Sequence, residues 1–240
     1  MDAGDPLGAR ARFLAVVSRL ESGHDQPARL CEACVEVLSV QRAAIAVHVE
    51  GAGLEILCAS DDVAEQVEWT QITLGEGPGV QAVATGGPIV VSDLSDPRGK
   101  WPNFAAEAAN FGVGAMYAFP LEFGAIKAGV LDLYRDDPGP LGGKDFADAT
   151  AVAELVTAIL LTVGRTGRIT ESLGPWWDQP LSTREVHQAT GMIVAQLGVS
   201  AHEAFVRMQG FAYSNGRMLS EVAQAVVRRQ LRFEPESESL

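Results

Sequence analysis

Two cysteines, Cys31 and Cys34, stand in a Cys-X-X-Cys pattern that is typical of thiol redox centres and of metal sites. Both lie in the apolar stripe of a predicted helix, whereas a redox cysteine needs the helix N-terminus, where the dipole lowers its pKa. Cys58 is the only other cysteine, so four cysteine ligands are excluded, although His24 or His48 could complete a mixed set. We interpret the cysteines as buried apolar side chains, and their odd number favours a reducing, intracellular setting.

Other reactive residues do not form a catalytic motif. The glycine-rich segment 75–79 lacks the Gly-Lys-Ser/Thr ending of a phosphate-binding loop, and the four histidines form no His-X-X-X-His pair. Asp93, Asp96 and Asp132 could lie close together in the fold and form carboxylate pairs. The alternative is that they are solvated acids of loops. We predict no catalytic residue, no metal site and no cofactor. The enzyme alternative, a cysteine-dependent sulfoxide reductase, depends on the poorly placed Cys-X-X-Cys pair.

The charge of the chain is distributed unevenly. The 240 residues have a net charge of −13 and 47% hydrophobic residues, which is enough apolar material for a packed core. Residues 181–233 contain six arginines and three glutamates and have a net charge of +3. A basic C-terminal segment on an acidic body indicates an anionic partner for that segment alone.

No stretch of the sequence is typical of a membrane or secretion segment. The N-terminal residues contain no apolar core of a signal peptide. The apolar runs are far shorter than the ~20 residues that span a bilayer. We therefore predict a cytoplasmic protein with no membrane partner.

The periodicity of the apolar residues predicts an α+β fold for the first 165 residues, with an antiparallel sheet flanked by helices. The predicted elements are helices at 10–20 and from residue 25 or 26, strands at 43–50 and 54–60, a short helix at 61–70, and strands at 88–94, 114–123 and 128–135. Residues 74–80 and 93–111 are expected to be loops. A long helix is predicted to begin at Asp145.

The long helix has apolar residues spaced alternately by three and four positions. They are Phe146, Ala149, Ala153, Val156, Leu160 and Val163. This spacing is typical of a seam between two helices, so the helix could pair with a second copy of the chain. The alternative is that it packs on its own sheet.

The C-terminal residues are predicted to form a small bundle of three helices. Their expected boundaries are Ser182 to Gly198, Ser200 to residues 215–216, and Ser220 to about residue 231. The first two helices begin with a Ser-X-X-Glu capping box. Gly191, inside the first helix, is expected to allow a close helix crossing.

Four short motifs follow one another in residues 185–229. They are Gln188-Ala189-X-Gly191, Leu197-Gly198-Val199-Ser200, Glu203-Ala204-Phe205 and Leu219-Ser220-X-Val222-Ala223. At this spacing they resemble an ANTAR domain, the RNA-binding module of transcription antitermination regulators. Many members have lysine where this chain has Thr190.

Motifs in residues 10–165 resemble a GAF sensor domain of the kind joined to ANTAR in actinobacterial regulators. They are Leu74-Gly75-Glu76-Gly77-Pro78, Trp101-Pro102-X-Phe104, Ala118-Phe119-Pro120-Leu121 and Gly129-Val130-Leu131-Asp132-Leu133-Tyr134. Relatives often have cysteine where this chain has Gly79, so thiol chemistry there is not expected. The division implied is a GAF domain at 10–165, a linker at 166–180, an ANTAR domain at 181–233 and an acidic tail at 234–240.

The resemblance implies an antitermination regulator. Such a protein binds two successive stem-loops of a nascent transcript as a homodimer, prevents the terminator hairpin from forming, and so acts indirectly on RNA polymerase. Phosphate contacts and stacking on loop bases are the expected mode of recognition. The candidate RNA-binding residues are Arg207, Tyr213, Arg217, Arg228, Arg229 and Arg232.

The GAF resemblance implies an unidentified small-molecule ligand between the sheet and the two predicted loops. The candidate pocket residues are Trp101, Phe104, Phe111, Met116 and Phe119. Binding there would shift the long helix and thereby the ANTAR domain. The alternative is a closely packed domain that serves only as a dimer platform or a docking surface.

A DNA-binding helix-turn-helix regulator is the competing function, because three helices in a basic C-terminal segment fit that class too. The start of the third helix has no cluster of Arg, Asn and Gln residues for base readout, which argues against it.

Overall fold

The computed structural model describes residues 6–19, 26–49, 53–96, 100–163 and 181–234. His24, the linker predicted at 166–180 and nearly all of the predicted acidic tail lie outside these residues. Within the described ranges, no helix combines the length and the apolar character needed to cross a membrane.

The secondary structure divides into an α+β part and three C-terminal helices. The α+β part consists of α1 (Pro6–Arg19), α2 (Gln26–Val37), β1 (Arg42–Val49), β2 (Gly53–Ala59), α3 (Asp62–Leu74), α4 (Pro78–Thr85), β3 (Ile89–Val91), α5 (Pro102–Asn110), β4 (Ala115–Phe123), β5 (Ile126–Arg135) and α6 (Gly143–Val163). The C-terminal helices are α7 (Leu181–Leu197), α8 (Ala201–Ser214) and α9 (Leu219–Val227). The strands form one antiparallel sheet in the order β2-β1-β5-β4-β3.

The sheet has helices on both faces. Because side chains alternate across a strand, Ile45 and Val47 of β1 point into a core shared with α1, α2 and α6. Ala44 and Ala46 point the other way, towards α3, α4 and α5. The expected α+β class, with an antiparallel sheet flanked by helices, is confirmed.

The apolar seam of α6 packs on its own sheet. Ala149, Ala153, Val156 and Leu160 are buried in the core that α1, α2 and the sheet share. Phe146 at the start of the seam packs against Phe119 of β4, with 5.4 Å between the ring centroids. The Val163 side chain lies outside the described part. The described seam residues therefore pack against other residues of the same chain.

Two segments that the sequence indicated as loops contain helices. α4 begins at Pro78 and ends at Thr85, and it is followed by Gly86, whose φ of +70° is a left-handed conformation suited to glycine. α5 begins at Pro102. Proline is tolerated in the first helical turn, where its missing N–H has no partner within the helix, so these prolines begin helices.

Other boundaries also differ from the expected ones. The strand expected at 88–94 is reduced to β3, and α7 already includes Leu181, so Ser182 is not its cap. α9 starts after Met218, whose N–H donates to the Glu221 carboxylate at 3.2 Å, and ends at Val227. The Ser200 cap of α8 is confirmed, because the Ser200 hydroxyl accepts from the Glu203 N–H.

The cysteines differ from the expectation of three unpaired apolar side chains. A disulfide joins Cys31 of α2 to Cys58 of β2, with 6.5 Å between their Cα atoms. Only Cys34 is free, and burial raises the pKa of its thiol. The pairing depends on how the hairpin packs on α2, which the spacing of the cysteines does not reveal.

Gly129 of β5 is a position where only glycine fits. Its φ is +155°, and a Cβ there would collide with the backbone of Ala46 on the neighbouring strand. We expect Gly129→Ala to lower the free energy of unfolding by roughly 2–4 kcal/mol, from backbone strain and overpacking. Urea denaturation followed by circular dichroism measures the change. Gly87→Ala, at an open position, is the control, and an equal effect of both variants would contradict the assignment.

Candidate functional site

The candidate RNA-binding residues lie on α8, in the turn after it and in the segment after α9. Tyr213 is 58% exposed near the end of α8. Arg228, Arg229 and Arg232 are exposed after α9, whereas Arg207 on α8 and Arg217 in the following turn are half-buried. The structure thus groups three of the five arginines in one short exposed segment.

The backbone of this exposed segment is a tight turn. Arg229 has a φ of +59°, a left-handed conformation that is uncommon for a residue other than glycine. The N–H groups of Gln230 and Leu231 both donate to the Ala225 carbonyl, at 2.8 and 3.1 Å. These bonds satisfy a helix-terminal carbonyl and hold the basic segment against the end of α9.

Two of the candidate arginines are paired with glutamates one helical turn away. Arg207 Nη2 lies 2.9 Å from Glu203 Oε1, and Arg217 Nε lies 3.9 Å from Glu221 Oε2. Surface pairs at this spacing contribute only about 0.3–0.5 kcal/mol, so a phosphate group can compete for either arginine.

The C-terminal helices share a core with the α+β part. Ile56 of β2 and Trp69 and Ile72 of α3 are buried against apolar residues of α7, α8 and α9. Burial of side chains of this size contributes about 1.5–3 kcal/mol each as an upper estimate. The contact therefore has a substantial apolar component.

Helix ends supply the polar part of this contact. The Ile72 carbonyl, in the last turn of α3, has no partner within its helix and accepts from Gln209 Nε2 at 2.6 Å. The N–H of Leu219, the first residue of α9, likewise lacks a partner in its own helix and donates to Thr73 Oγ1 at 3.0 Å. Each domain therefore satisfies a terminal backbone group of the other.

An ion pair adds to the same contact. His187 Nε2 of α7 lies 3.0 Å from Glu55 Oε2 of β2. The hydrogen bond to Glu55 is the largest influence on the pKa of His187 and raises it, while partial burial acts in the opposite direction. The stabilisation that the raised pKa of His187 represents is present below the ordinary histidine pKa of about 6.5 and is lost as the pH rises through the raised pKa.

Clefts remain on both sides of the contact. One of 390 Å³ separates α5 from the α8–α9 turn and is lined by Glu107, Phe111, Tyr213 and Arg217 among others. Another of 370 Å³ lies between α3, β2 and α7, where a Cβ on Gly191 would meet nothing within 4 Å. Gly191 thus faces open space, and the close helix crossing expected there is wrong.

Four of the five candidate pocket residues lie on one side of the sheet. Phe104 and Met116 are fully buried in the core beneath α3 and α5, and Trp101 and Phe111 pack against that core. Phe119 points to the opposite face and packs with α6, because it is an odd number of positions from Met116 on β4. Phe119 therefore does not share the space of the other four.

A buried polar cluster lies beside this core, between α3 and β5. Gln71 Nε2 donates to Asp132 Oδ2 at 3.0 Å and to Glu68 Oε1 at 3.1 Å, and the Tyr134 hydroxyl donates to Glu68. The Gly79 N–H donates to Gln71 Oε1 at 2.8 Å, and a Cβ on Gly79 would collide with Asp132. Position 79 therefore has room only for glycine, because α4 starts directly against a buried carboxylate.

Burial determines the protonation of this cluster. It raises the pKa of Asp132 well above the ordinary range, and the neighbouring Glu68 charge raises it further. Burial is also the largest influence on the pKa of Glu68, which is raised. The two carboxyl groups therefore favour retaining a proton in the folded state.

The sequence singles out Asp132, but it does not indicate that Glu68 and Gln71 surround it or that Thr73 contacts the C-terminal helices. Asp132 was recognisable as an acid within an apolar strand. Glu68 and Thr73 gave a weaker signal, because polar residues on a helix usually face solvent. Every residue of α3 from Val67 to Thr73 is in fact buried.

Comparison with known families matches both parts of the chain. The family model of the GAF domain matches residues 28–160, and that of the ANTAR domain matches residues 180–227. A comparison with curated proteins gave no match.

Solved structures share the fold of the α+β part. The GAF domain of a phosphoenolpyruvate-protein phosphotransferase from Coxiella burnetii is 11% identical, with a TM-score of 0.51 over 68% of this chain and 99% of that domain. The GAF domain of an Acinetobacter phosphoenolpyruvate-protein phosphotransferase is also 11% identical, with a TM-score of 0.51 over 68% and 96% of the two chains. At this identity the likeness shows the fold alone.

The buried carboxyl pair predicts a specific pH dependence. The folded state retains a proton that the unfolded state releases above about pH 4, so the free energy of unfolding falls as the pH rises, by up to about 1.4 kcal/mol per pH unit. We expect the Asp132→Asn protein to show a smaller decrease in the free energy of unfolding with pH. At pH 8 its free energy of unfolding should be higher than that of the natural protein. Urea denaturation from pH 5 to 8 measures both. Asp137→Asn, at an exposed position, should leave the slope unchanged, and equal slopes for all three proteins would contradict the assignment.

Proposed function

Because this chain belongs to the GAF domain family and contains an ANTAR domain at residues 180–227, we propose that it binds tandem stem-loops of nascent transcripts as a dimer and prevents terminator formation. ANTAR domains are RNA-binding antitermination modules, and GAF domains are sensing domains. The chain therefore combines a sensor with an RNA-binding module.

The exposed basic turn after α9 carries this proposal. It presents Arg228, Arg229 and Arg232 on a backbone held by bonds to Ala225, so the three charges are available to a phosphate backbone. Tyr213 offers an exposed ring for stacking on an unpaired loop base. Phosphate contacts combined with stacking suit a stem-loop better than a regular duplex.

A dimer is proposed because two stem-loops require two ANTAR domains. Four of the described seam residues of α6, Ala149, Ala153, Val156 and Leu160, are buried within one chain, so the proposed dimer uses other surfaces. By holding both stem-loops, the dimer keeps their strands out of the terminator hairpin and acts on RNA polymerase only through the transcript.

The sensor acts on the ANTAR domain through α3 in this proposal. A small ligand among Trp101, Phe104, Phe111 and Met116 would lie against the core that α3 covers. The last turn of α3 binds Gln209 and Leu219 directly, so a shift of α3 alters the domain contact. This route replaces the expected route through the long helix, whose buried residues pack on the opposite face of the sheet.

In the docked arrangement, the three C-terminal helices pack against α3 and β2. This arrangement restricts access to some of the candidate RNA-binding residues. Tyr213 and Arg217 line the cleft that faces Glu107 of α5, where an approaching phosphate meets an acidic side chain. Release of the ANTAR domain removes this restriction. The docked state is therefore the state of lower RNA affinity.

The DNA-binding alternative is less well supported. In a helix-turn-helix protein the N-terminal residues of the recognition helix contact base edges. Here the first N–H of α9 is bound to Thr73 and Leu219 is fully buried. A duplex DNA of equal length belongs in the binding experiment to test this alternative.

Replacing the basic turn should weaken RNA binding and its salt dependence. We expect R228Q/R229Q/R232Q to lower affinity for a tandem stem-loop RNA and to reduce the slope of log K against log salt by about two, since each phosphate contact contributes roughly 0.7. Fluorescence anisotropy over a salt series measures both.

R10Q/R12Q/R19Q is the matched control, because it removes the same charge from α1. It should leave the slope unchanged. Equal slopes for the two triple variants would contradict a role for the turn after α9. An RNA with one loop destroyed should bind weakly, and tighter binding to duplex DNA would favour the alternative function.

Weakening the domain contact should strengthen RNA binding. Thr73→Val removes the acceptor of the Leu219 N–H, and a lost buried hydrogen bond of about 1 kcal/mol predicts a roughly fivefold rise in RNA affinity. Thr70→Val is the control, because among the described residues the Thr70 hydroxyl bonds only the Gln66 carbonyl of its own helix, at 2.9 Å. Hydrogen exchange of residues 69–74 checks that the contact has loosened, and looser packing with unchanged RNA affinity would contradict regulation by docking.

A further inference from the structure

The 370 Å³ cleft between α3, β2 and α7, called the cavity from here on, has the features of a ligand site. Its walls come from β2 and α3 of the GAF domain and from α7 and α8 of the ANTAR domain. Its volume is within the range of small-molecule pockets, which are mainly apolar with a few polar groups. Because both domains line it, an occupant touches both at once.

A buried carboxylate supplies the main polar group. Glu55 is 7% exposed, and its Oε2 is paired with His187 at 3.0 Å. Its Oε1 is buried and has no hydrogen-bond partner among the described residues. An unpaired buried acceptor is costly, so this oxygen is suited to a donor from an occupant.

A hydroxyl group in the same cavity is also unpaired. Thr183 is 2% exposed, and its Oγ1 has no hydrogen-bond partner within the described residues. Thr183 and Glu55 belong to different domains, so a molecule that bonds both bridges the contact. His202 lines the cavity as well.

The walls are suited to a ring. Trp69 and Phe205 bring aromatic surface, and Leu54 and Val194 bring aliphatic surface. Trp69 Nε1 donates to Glu65 at 3.3 Å, which fixes the position of its indole. An aromatic face beside a carboxylate favours an organic cation, because both attract positive charge.

Small residues keep this space open. Gly191 has no side chain, and an added Cβ would meet nothing within 4 Å. The Thr190 hydroxyl is bound back to the Val186 carbonyl at 2.8 Å and leaves the cavity free. A larger residue at position 191 would project into the cavity without straining the helix.

We propose that this cavity binds a small aromatic amine, with its ammonium group on Glu55 and its ring against Trp69 and Phe205. The bound amine holds the two domains together and thereby lowers RNA affinity. Binding at the cavity is independent of the proposed function, and only its effect on RNA rests on that function.

Three related probes test the chemistry on the full chain. They are 2-phenylethylamine, 2-phenylethanol and phenylacetate, which present a cation, a neutral hydroxyl and an anion on nearly the same body. We expect calorimetric titration to show the amine binding at least tenfold more tightly than either of the others. Equal or tighter binding of phenylacetate, or no detectable binding of the amine at millimolar concentration, would overturn the proposal.

Two variants locate the site. Glu55→Gln keeps the shape of the side chain and should lower amine affinity at least tenfold, with 2-phenylethanol changed less than twofold. Gly191→Leu places a side chain in the cavity and replaces glycine by a residue of higher helix propensity. It should abolish binding of 2-phenylethylamine and of 2-phenylethanol. Circular dichroism confirms that each variant is folded. Unchanged amine binding in the Gly191→Leu protein would overturn the assignment, even if Glu55→Gln failed to fold.

An RNA titration tests the regulatory part. Saturating 2-phenylethylamine should lower the affinity for tandem stem-loop RNA at least threefold in the natural protein and have no effect in Gly191→Leu. Unchanged affinity in the natural protein would overturn the link between the cavity and RNA binding. Failure to bind RNA under any condition would contradict the proposed function, while the calorimetric result decides the cavity by itself.

Discussion

The last turn of α3 is the point on which the arrangement of the two domains depends. A helix ends with carbonyl groups that have no partner in the helix, and another helix starts with N–H groups in the same condition. Here the Ile72 carbonyl and the Thr73 hydroxyl of one domain are bonded to Gln209 and Leu219 of the other. Because these bonds lie beside the buried Trp69 ring, separation of the domains exposes apolar surface and frees terminal backbone groups together.

The same helix faces the interior of the sensor domain. Glu68 and Gln71 point towards Asp132 on the sheet, while Trp69 and Ile72 point towards the ANTAR helices. A helix that is buried on both sides cannot rotate or translate without disturbing both sets of contacts. This is the physical reason why the proposed function places signal transmission in α3: a ligand near the buried carboxyl groups would act on the ANTAR helices through one rigid element.

The candidate RNA-binding residues are divided between the exposed segment after α9 and a cleft between the two domains. The arginines after α9 are accessible in the docked arrangement, whereas Arg217 and Tyr213 line a cleft beside the acidic Glu107. A phosphate backbone can therefore meet part of the basic set before the domains separate. Under the proposed function, full engagement requires release of the ANTAR helices from α3, so the contact between the domains opposes RNA binding.

Local patterns determined much of this protein. The apolar periodicity, with alternation along β1, indicated the antiparallel sheet, the Ser200 capping box marked the start of α8, and the short motifs indicated both domains, because each signal is local in the chain. Only the tertiary structure decided that Cys58 forms a disulfide with Cys31 and that Phe119 and Met116 point to opposite faces of the sheet. It also decided that the domains dock through α3. Those outcomes depend on which distant surfaces pack together, and a residue such as Thr73 reveals nothing of its partner until the chain has folded.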